Sequence, residues 1–202
     1  MRLHWSATSP YARKCLILLK ETGQEGDVAL VPATGTPLDS SQMPLAQNPL
    51  GKLPALERPD GSALYDSRVI TRYLDDRAGG KLYPPAPRLW DCLTLEATGD
   101  GITDAGILIL YESRIRPEDK RFDDWVEGQW AKIARALDAL EARWMGYLRG
   151  PLDMGHISVI CALGHLDFRH AARNWRANRP LLAGWEADMA QRPSIIATVP
   201  KL

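Results

Sequence analysis

The chain has 202 residues, with 25 basic and 25 acidic side chains and no formal net charge at neutral pH. That balance excludes a strong global field steering the protein to nucleic acid or an anionic membrane surface. No apolar run approaches the roughly 18 residues of a membrane span, and Cys15, Cys92 and Cys161 include no CxxC pair. These features predict a cytoplasmic protein with reduced thiols, no membrane or nucleic-acid partner, and one large or two small domains.

In chain order, Met1-Arg2-Leu3-His4-Trp5 reads as a strand opening and not as a signal peptide. Pro10 to Thr22 carries Tyr11, Cys15, Leu18 and Leu19 at helical spacing and is closed by Gly23. Asp27 to Val31 is a strand candidate. Leu53 to Glu57 and Ser62 to Tyr65 flank Pro59-Asp60-Gly61, a hairpin signal. Ser67 to Arg77 places Ile70, Tyr73 and Leu74 on one face and ends at Gly79-Gly80. This order predicts a small α/β domain with a mixed sheet over residues 1–80. Pro84-Pro85-Ala86-Pro87 marks a linker at 81–87.

Residues 88–202 show only helical periods. Leu89 to about Ser113 reads as one long helix. Val126, Trp130, Ile133, Leu137, Leu140, Trp144 and Leu148 recur at steps of three and four, predicting a single long helix with one buried stripe. Ile157 to Leu166 is apolar nearly all round, as a central helix would be. Leu182, Trp185 and Met189 mark a last amphipathic helix stopped by Pro193. No repeat, GxGxxG or Walker pattern occurs. His165 and His170, five apart, do not share a helix face for zinc, and no metal site is predicted.

The candidate chemistry lies in the first third. Ser9 stands where an N-cap would, with Pro10 at the first helical position. A helix N-terminus favours an anion, and a hydroxyl there can donate to a thiolate. A thiol of pKa near 8.5 is only about 3% thiolate at pH 7; a drop of roughly two units, about 2.7 kcal/mol, brings it to about three quarters. The run Asn48-Pro49-Leu50-Gly51-Lys52-Leu53-Pro54 joins a turn, an exposed cation and a proline before a short apolar run. A cis bond at Leu53-Pro54 would turn a backbone N–H and C=O outward. Lys52 would clamp a carboxylate. Asp66-Ser67 opens a helical pattern, able to meet an α-carboxylate and its ammonium. An α-amino acid end, a thiol and a terminal carboxylate, in that order, form the charge pattern of glutathione.

These motifs resemble the cytosolic glutathione S-transferases, and the chain is similar to bacterial serine-type members. The resemblance rests on NPLGKLPAL, the acid-Ser pair at Asp66-Ser67, TSPYARK and the helical second half, with GHLDFR and Arg192-Pro193-Ser194 alongside. It implies a thioredoxin-like domain that binds glutathione as cosubstrate, followed by an all-α domain that lines the site of a small hydrophobic electrophile. Lys52 would meet the glycyl carboxylate, Leu53 and cis-Pro54 the cysteinyl backbone, and Asp66 and Ser67 the γ-glutamyl end. The thiol-activating hydroxyl matches Ser9 in one alignment and Thr8 in another, with Ser9 favoured. Asp100 would reach the partner's γ-glutamyl ammonium in a homodimer, and Tyr11, Ile107 and Tyr111 would line the electrophile pocket.

The implied activity is conjugation of glutathione thiolate to an electrophile, in a detoxification role. A non-catalytic glutathione-binding module, or a glutathione-dependent peroxidase, isomerase or dehalogenase, is the alternative. One departure concerns the family's capping box at the central helix: the stretch is Asp153-Met154-Gly155-His156, with histidine in place of the acid. Asp153 can still cap, and a neutral imidazole that accepts a hydrogen bond would preserve the box.

Overall fold

A computed structural model describes residues 1–201. The chain divides into two compact units, Met1–Pro85 with the segment from Pro193 onward, and Ala86–Arg192. In the first, β1 (Arg2–Trp5) lies between β2 (Ala29–Pro32) and β3 (Ala55–Glu57), parallel to β2 and antiparallel to β3. A parallel pair needs a crossover, and α1 (Pro10–Glu21) supplies it. α2 (Ser67–Arg77) packs beside α1 and against β3. Leu3, Ala55 and Leu56 from the sheet meet Ala12, Leu18, Ile70 and Leu74 from the helices, and all of these are fully buried.

The mixed sheet and both helices follow the sequence pattern; the hairpin does not extend as predicted. Only Leu56 and Leu64 bridge across the Pro59-Asp60-Gly61 turn, exchanging backbone bonds of 2.9 and 2.8 Å. Pro54 has no N–H for a ladder, so β3 starts at Ala55. On the other side Asp66 already caps α2, which leaves the returning chain no length to pair. β2 starts at Ala29 and not Asp27, because Glu25–Asp27 forms a 3-10 turn.

The second unit contains α3 (Arg88–Arg114), α4 (Asp123–Ala139), α5 (Met145–Leu148), α6 (Met154–His170) and α7 (Pro180–Met189). Every residue from Met154 to Leu163 is buried, as predicted for a central helix. α3 crosses α6 at close range: a Cβ on Gly99 would lie 2.6 Å from the backbone carbon of Ser158. The helix predicted over Val126 to Leu148 runs without a gap but not as one regular α-helix. A π-helical turn at Leu140–Trp144 separates α4 from α5. Its i→i+5 bonding holds an extra residue in the turn, which moves the buried stripe from Leu140 to Met145 and leaves Trp144 half-buried where the pattern placed it inside. On α7, Leu182 and Trp185 are buried.

Pro193, predicted as a helix stop, also opens α8 (Pro193–Ile196), a role that suits a residue with fixed φ and no N–H. The segment lies on α1. Arg13 donates from Nη2 to the Ile195 carbonyl at 3.3 Å and from Nε to the Thr198 hydroxyl at 3.4 Å. Ser194 donates to the Glu21 carboxylate at 2.5 Å.

Candidate active site

The β1–α1 corner is built as the sequence suggested. Ser9 is the N-cap of α1, and its Oγ accepts the Ala12 N–H at 3.2 Å. Its backbone carbonyl takes the Arg13 N–H at 3.0 Å, closing the first turn. A hydroxyl that accepts one bond keeps its own proton to donate. The helix end and this O–H together can stabilise an anion placed at the corner. Thr8 lies one residue before the cap and is half-buried.

The loop before β3 is held by Asn48, which is 2% exposed. Its amide donates to the Lys52 carbonyl at 2.9 Å, and its Oδ1 accepts the Leu50 N–H at 3.0 Å. The Gly51 N–H closes the turn on the Asn48 carbonyl at 3.0 Å, with Gly51 at a φ of 58°, a conformation that favours glycine. Lys52 leaves this turn exposed to solvent. The Leu53-Pro54 peptide is cis, as predicted. Leu53 lies outside the β1–β3 register, which begins at Ala55, so its backbone is not used by the sheet. Below the loop, the Glu57 carboxylate accepts from Gln47 at 3.3 Å and from His4 Nε2 at 2.5 Å.

At the start of α2, Asp66 is the N-cap and accepts the Arg68 N–H at 3.0 Å. Arg68 also returns its guanidinium to the same carboxylate, with Nη2 at 2.7 Å. Burial works to raise the Asp66 pKa, but the Arg68 bonds and the charges of Arg68 and Lys14 outweigh it and hold the carboxyl below its ordinary range. Lys14 is a buried residue of α1, so the opening turns of the two helices share a field. Ser67, at the first helical position, is 2% exposed.

In the second unit, Asp100 is buried and takes a hydrogen bond from Ser158 at 3.3 Å. Ile107 and Tyr111 sit one turn apart on α3, both half-buried, and Tyr11 on α1 is also half-buried. Two sequence readings need correction. His165 and His170 do meet, with ring centroids 5.8 Å apart, because the backbone leaves helical geometry at His170 and turns its ring back. No cluster of three or more metal-ligating side chains occurs among the described residues. Asp153 caps α6 as expected, but His156 does not reach back to the cap N–H. Its Nδ1 lies 2.7 Å from the Asp153 carboxylate and, facing an acceptor, donates to it. Tyr147 at 2.5 Å and Arg88 at 3.1 Å complete the knot. Burial works to raise this carboxyl, yet its partners hold it down to about 2.

Sequence reasoning placed Asn48 in the turn without seeing it as the turn's anchor, and missed Arg68, Lys14 and the His4–Glu57 pair as contributors to this region. Only Asn48 left a signal, as a turn-forming residue ahead of Pro49 and Gly51.

Comparison with known proteins gives these geometries a family. The profile "Glutathione S-transferase, N-terminal domain" matches residues 8–77, and "Glutathione S-transferase, C-terminal domain" matches residues 123–188. The chain is 32% identical to the uncharacterized GST-like protein YibF of Escherichia coli K12, covering 99% of this chain and 98% of that one. A glutathione transferase family member from Pseudomonas fluorescens Pf-5, solved with bound glutathione, is 45% identical with a TM-score of 0.97, covering 100% of this chain and 99% of the other. A second structure from that organism, with bound S-(propanoic acid)-glutathione, gives 45% identity and a TM-score of 0.93. The chain belongs to the glutathione S-transferase family.

Proposed function

We propose that this protein is a glutathione transferase that holds glutathione on residues 1–80, a thioredoxin-like domain, and presents its thiolate to an electrophile bound by the helical residues 88–202. The observation that carries the reading is the Ser9-capped helix and Asn48-held loop in a chain 45% identical, over its full length, to the Pseudomonas protein solved with glutathione. Lys52 takes the glycyl carboxylate, and the Leu53 backbone pairs with the cysteinyl unit beside cis-Pro54. Ser67 and the first amides of α2 take the γ-glutamyl carboxylate, while Asp66 receives the ammonium. An ionised carboxylate has about four lone-pair sites, so Asp66 can keep Arg68 and accept a second cation.

The thiol proton leaves to solvent, and Ser9 donates a hydrogen bond from its O–H to the sulfur that remains, with Thr8 the alternative donor. The thiolate forms a bond to the electrophilic carbon as the leaving group departs with its electron pair, or as the pair moves onto an activated acceptor. Catalysis on this account is thiolate formation and proximity. Ile107 and Tyr111, one turn apart on α3, line the electrophile side within the helical unit. In a homodimer, Asp100 extends toward the ammonium held by its partner subunit.

Calorimetric titration with glutathione, followed by conjugation of a model aryl halide, tests the reading. Saturable binding and turnover are expected, with Lys52→Ala weakening glutathione about tenfold through the lost charged contact. Binding without turnover across a broad electrophile panel would leave a glutathione-binding module. No binding at millimolar glutathione would overturn the proposal.

A further inference from the structure

The stripe of α3 that carries Ile107 and Tyr111 has a charge order along its length. Asp100, Asp104, Ile107, Tyr111 and Arg114 follow one another at steps of three and four, so they share one side of the helix. The stripe opens on two acids, passes over two half-buried side chains and ends on a cation, the exposed last residue of α3. At 1.5 Å of rise per residue, Ile107 and Arg114 stand about 10 Å apart along the axis.

A second cation lies beside that end. α3 and α6 run in the same direction and hold one register. A Cβ on Gly99 would lie 2.6 Å from the Ser158 backbone carbon, and seven residues further along both helices a Cβ on Gly106 would lie 3.2 Å from the His165 ring. The same register brings Arg169 of α6 level with Leu110, between Ile107 and Arg114. Arg169 is half-buried, with its guanidinium carbon 3.9 Å from the centre of the Phe168 ring. Burial first, and then the charge of Arg114, lower its pKa from the ordinary value. The acids at this end of the bundle are engaged elsewhere: Glu112 holds Arg116 at 2.7 Å, and Glu127 holds Arg173 at 2.5 Å.

A cation in the last turn of a helix is ordinary, because it offsets the helix dipole. A half-buried second cation beside it is costly, since desolvation and like charge both work against it. An anion shared by the two guanidinium groups removes that cost, and a carboxylate suits their flat, forked donors.

We propose that the electrophile conjugated by this protein carries a carboxylate, which Arg114 and Arg169 receive while its apolar body lies on Ile107 and Tyr111. The inference rests on the transferase reading, which sets the electrophile on this stripe. The span of about 10 Å leaves room for one aromatic ring between the reacting carbon and the carboxylate. With an aryl chloride, the glutathione thiolate forms the C–S bond and chloride leaves with the electron pair of the C–Cl bond.

4-Chloro-3,5-dinitrobenzoate and its neutral amide are the probes, each conjugated by the full chain at saturating glutathione. Each rate is divided by its uncatalysed rate, which removes the difference in intrinsic reactivity. The normalised kcat/KM is expected to favour the benzoate at least about tenfold, the difference one charged hydrogen bond supplies. Arg114→Leu and Arg169→Leu should each lower that ratio several-fold, chiefly through the KM of the benzoate. Both probes meet the same enzyme, so the ratio does not move with the fraction that is folded. Turnover of both halides with a ratio near one, or a ratio unmoved in either variant, would overturn this inference and leave the transferase reading standing. Turnover of neither halide would overturn both.

Discussion

His165 should make this protein acid-sensitive. The residue is 3% exposed, and its Nε2 is buried without a hydrogen-bond partner. Its ring lies against Gly106, where an added Cβ would be 3.3 Å from Nε2, and His170 closes the other side. Burial, then the positive charges of His170 and Arg169, pushes its pKa down to about 3, from an ordinary 6.5. Above pH 6.5 the folded and unfolded chains both hold it neutral, so it has no pH effect there. As pH falls below 6.5 the unfolded chain takes up a proton that the folded chain refuses until about pH 3, and stability drops through that window. At 1.36 kcal/mol per unit, about 2 kcal/mol is lost by pH 5 and about 5 kcal/mol by pH 3. His165→Leu is the reference, because it isolates this one group's contribution from the rest of the chain's pH dependence. Urea unfolding followed by tryptophan fluorescence at pH 7 and pH 5 should show wild type losing about 2 kcal/mol more than the variant. The variant should also match or exceed wild type at pH 7, since an orphaned buried nitrogen is removed. Parallel losses in the two proteins would refute the reasoning.

Gly99→Ala should destabilise the protein by about 1–3 kcal/mol in the same unfolding assay, because its Cβ would meet the Ser158 backbone and α3 would have to move off α6. Asp153→Asn should lower stability by about 3 kcal/mol, since Arg88, Tyr147 and His156 all lose the ionised carboxylate they share. That variant should also lose the acid dependence between about pH 4 and pH 2: the depressed carboxyl stabilises the fold above its unfolded pKa, and this is lost as pH falls through the folded value. Asn48→Ala should weaken glutathione binding about three- to tenfold by freeing the Lys52 carbonyl, while affinity for γ-glutamylcysteine, which lacks the glycyl carboxylate, changes little.

The parts of this molecule written in local pattern were legible in advance. α2 runs over Ser67–Arg77 as its cap and periodicity required, and α6 is buried all round as its composition required. Ser9, the cis bond at Leu53-Pro54 and the exposed Lys52 follow from capping, turn and proline chemistry, which act over a few residues. The misses have a common cause. Steps of three and four do not reveal a π turn, because one inserted residue shifts Trp144 for Met145 and both are apolar. The Leu64 strand failed because helix capping at Asp66 took the chain first. Arg13, Arg68 and His165 each act through partners that only folding brings near, so sequence spacing gave them no role.

The most direct test of the account is the thiol pKa of bound glutathione, read from the ultraviolet absorbance of the thiolate as pH is varied at saturating ligand. The account places that pKa roughly two units below the free thiol's 8.5, with Ser9→Ala returning it most of the way while glutathione still binds. A bound thiol that titrates like free glutathione in the wild-type protein would contradict the claim that the Ser9-capped helix end activates sulfur.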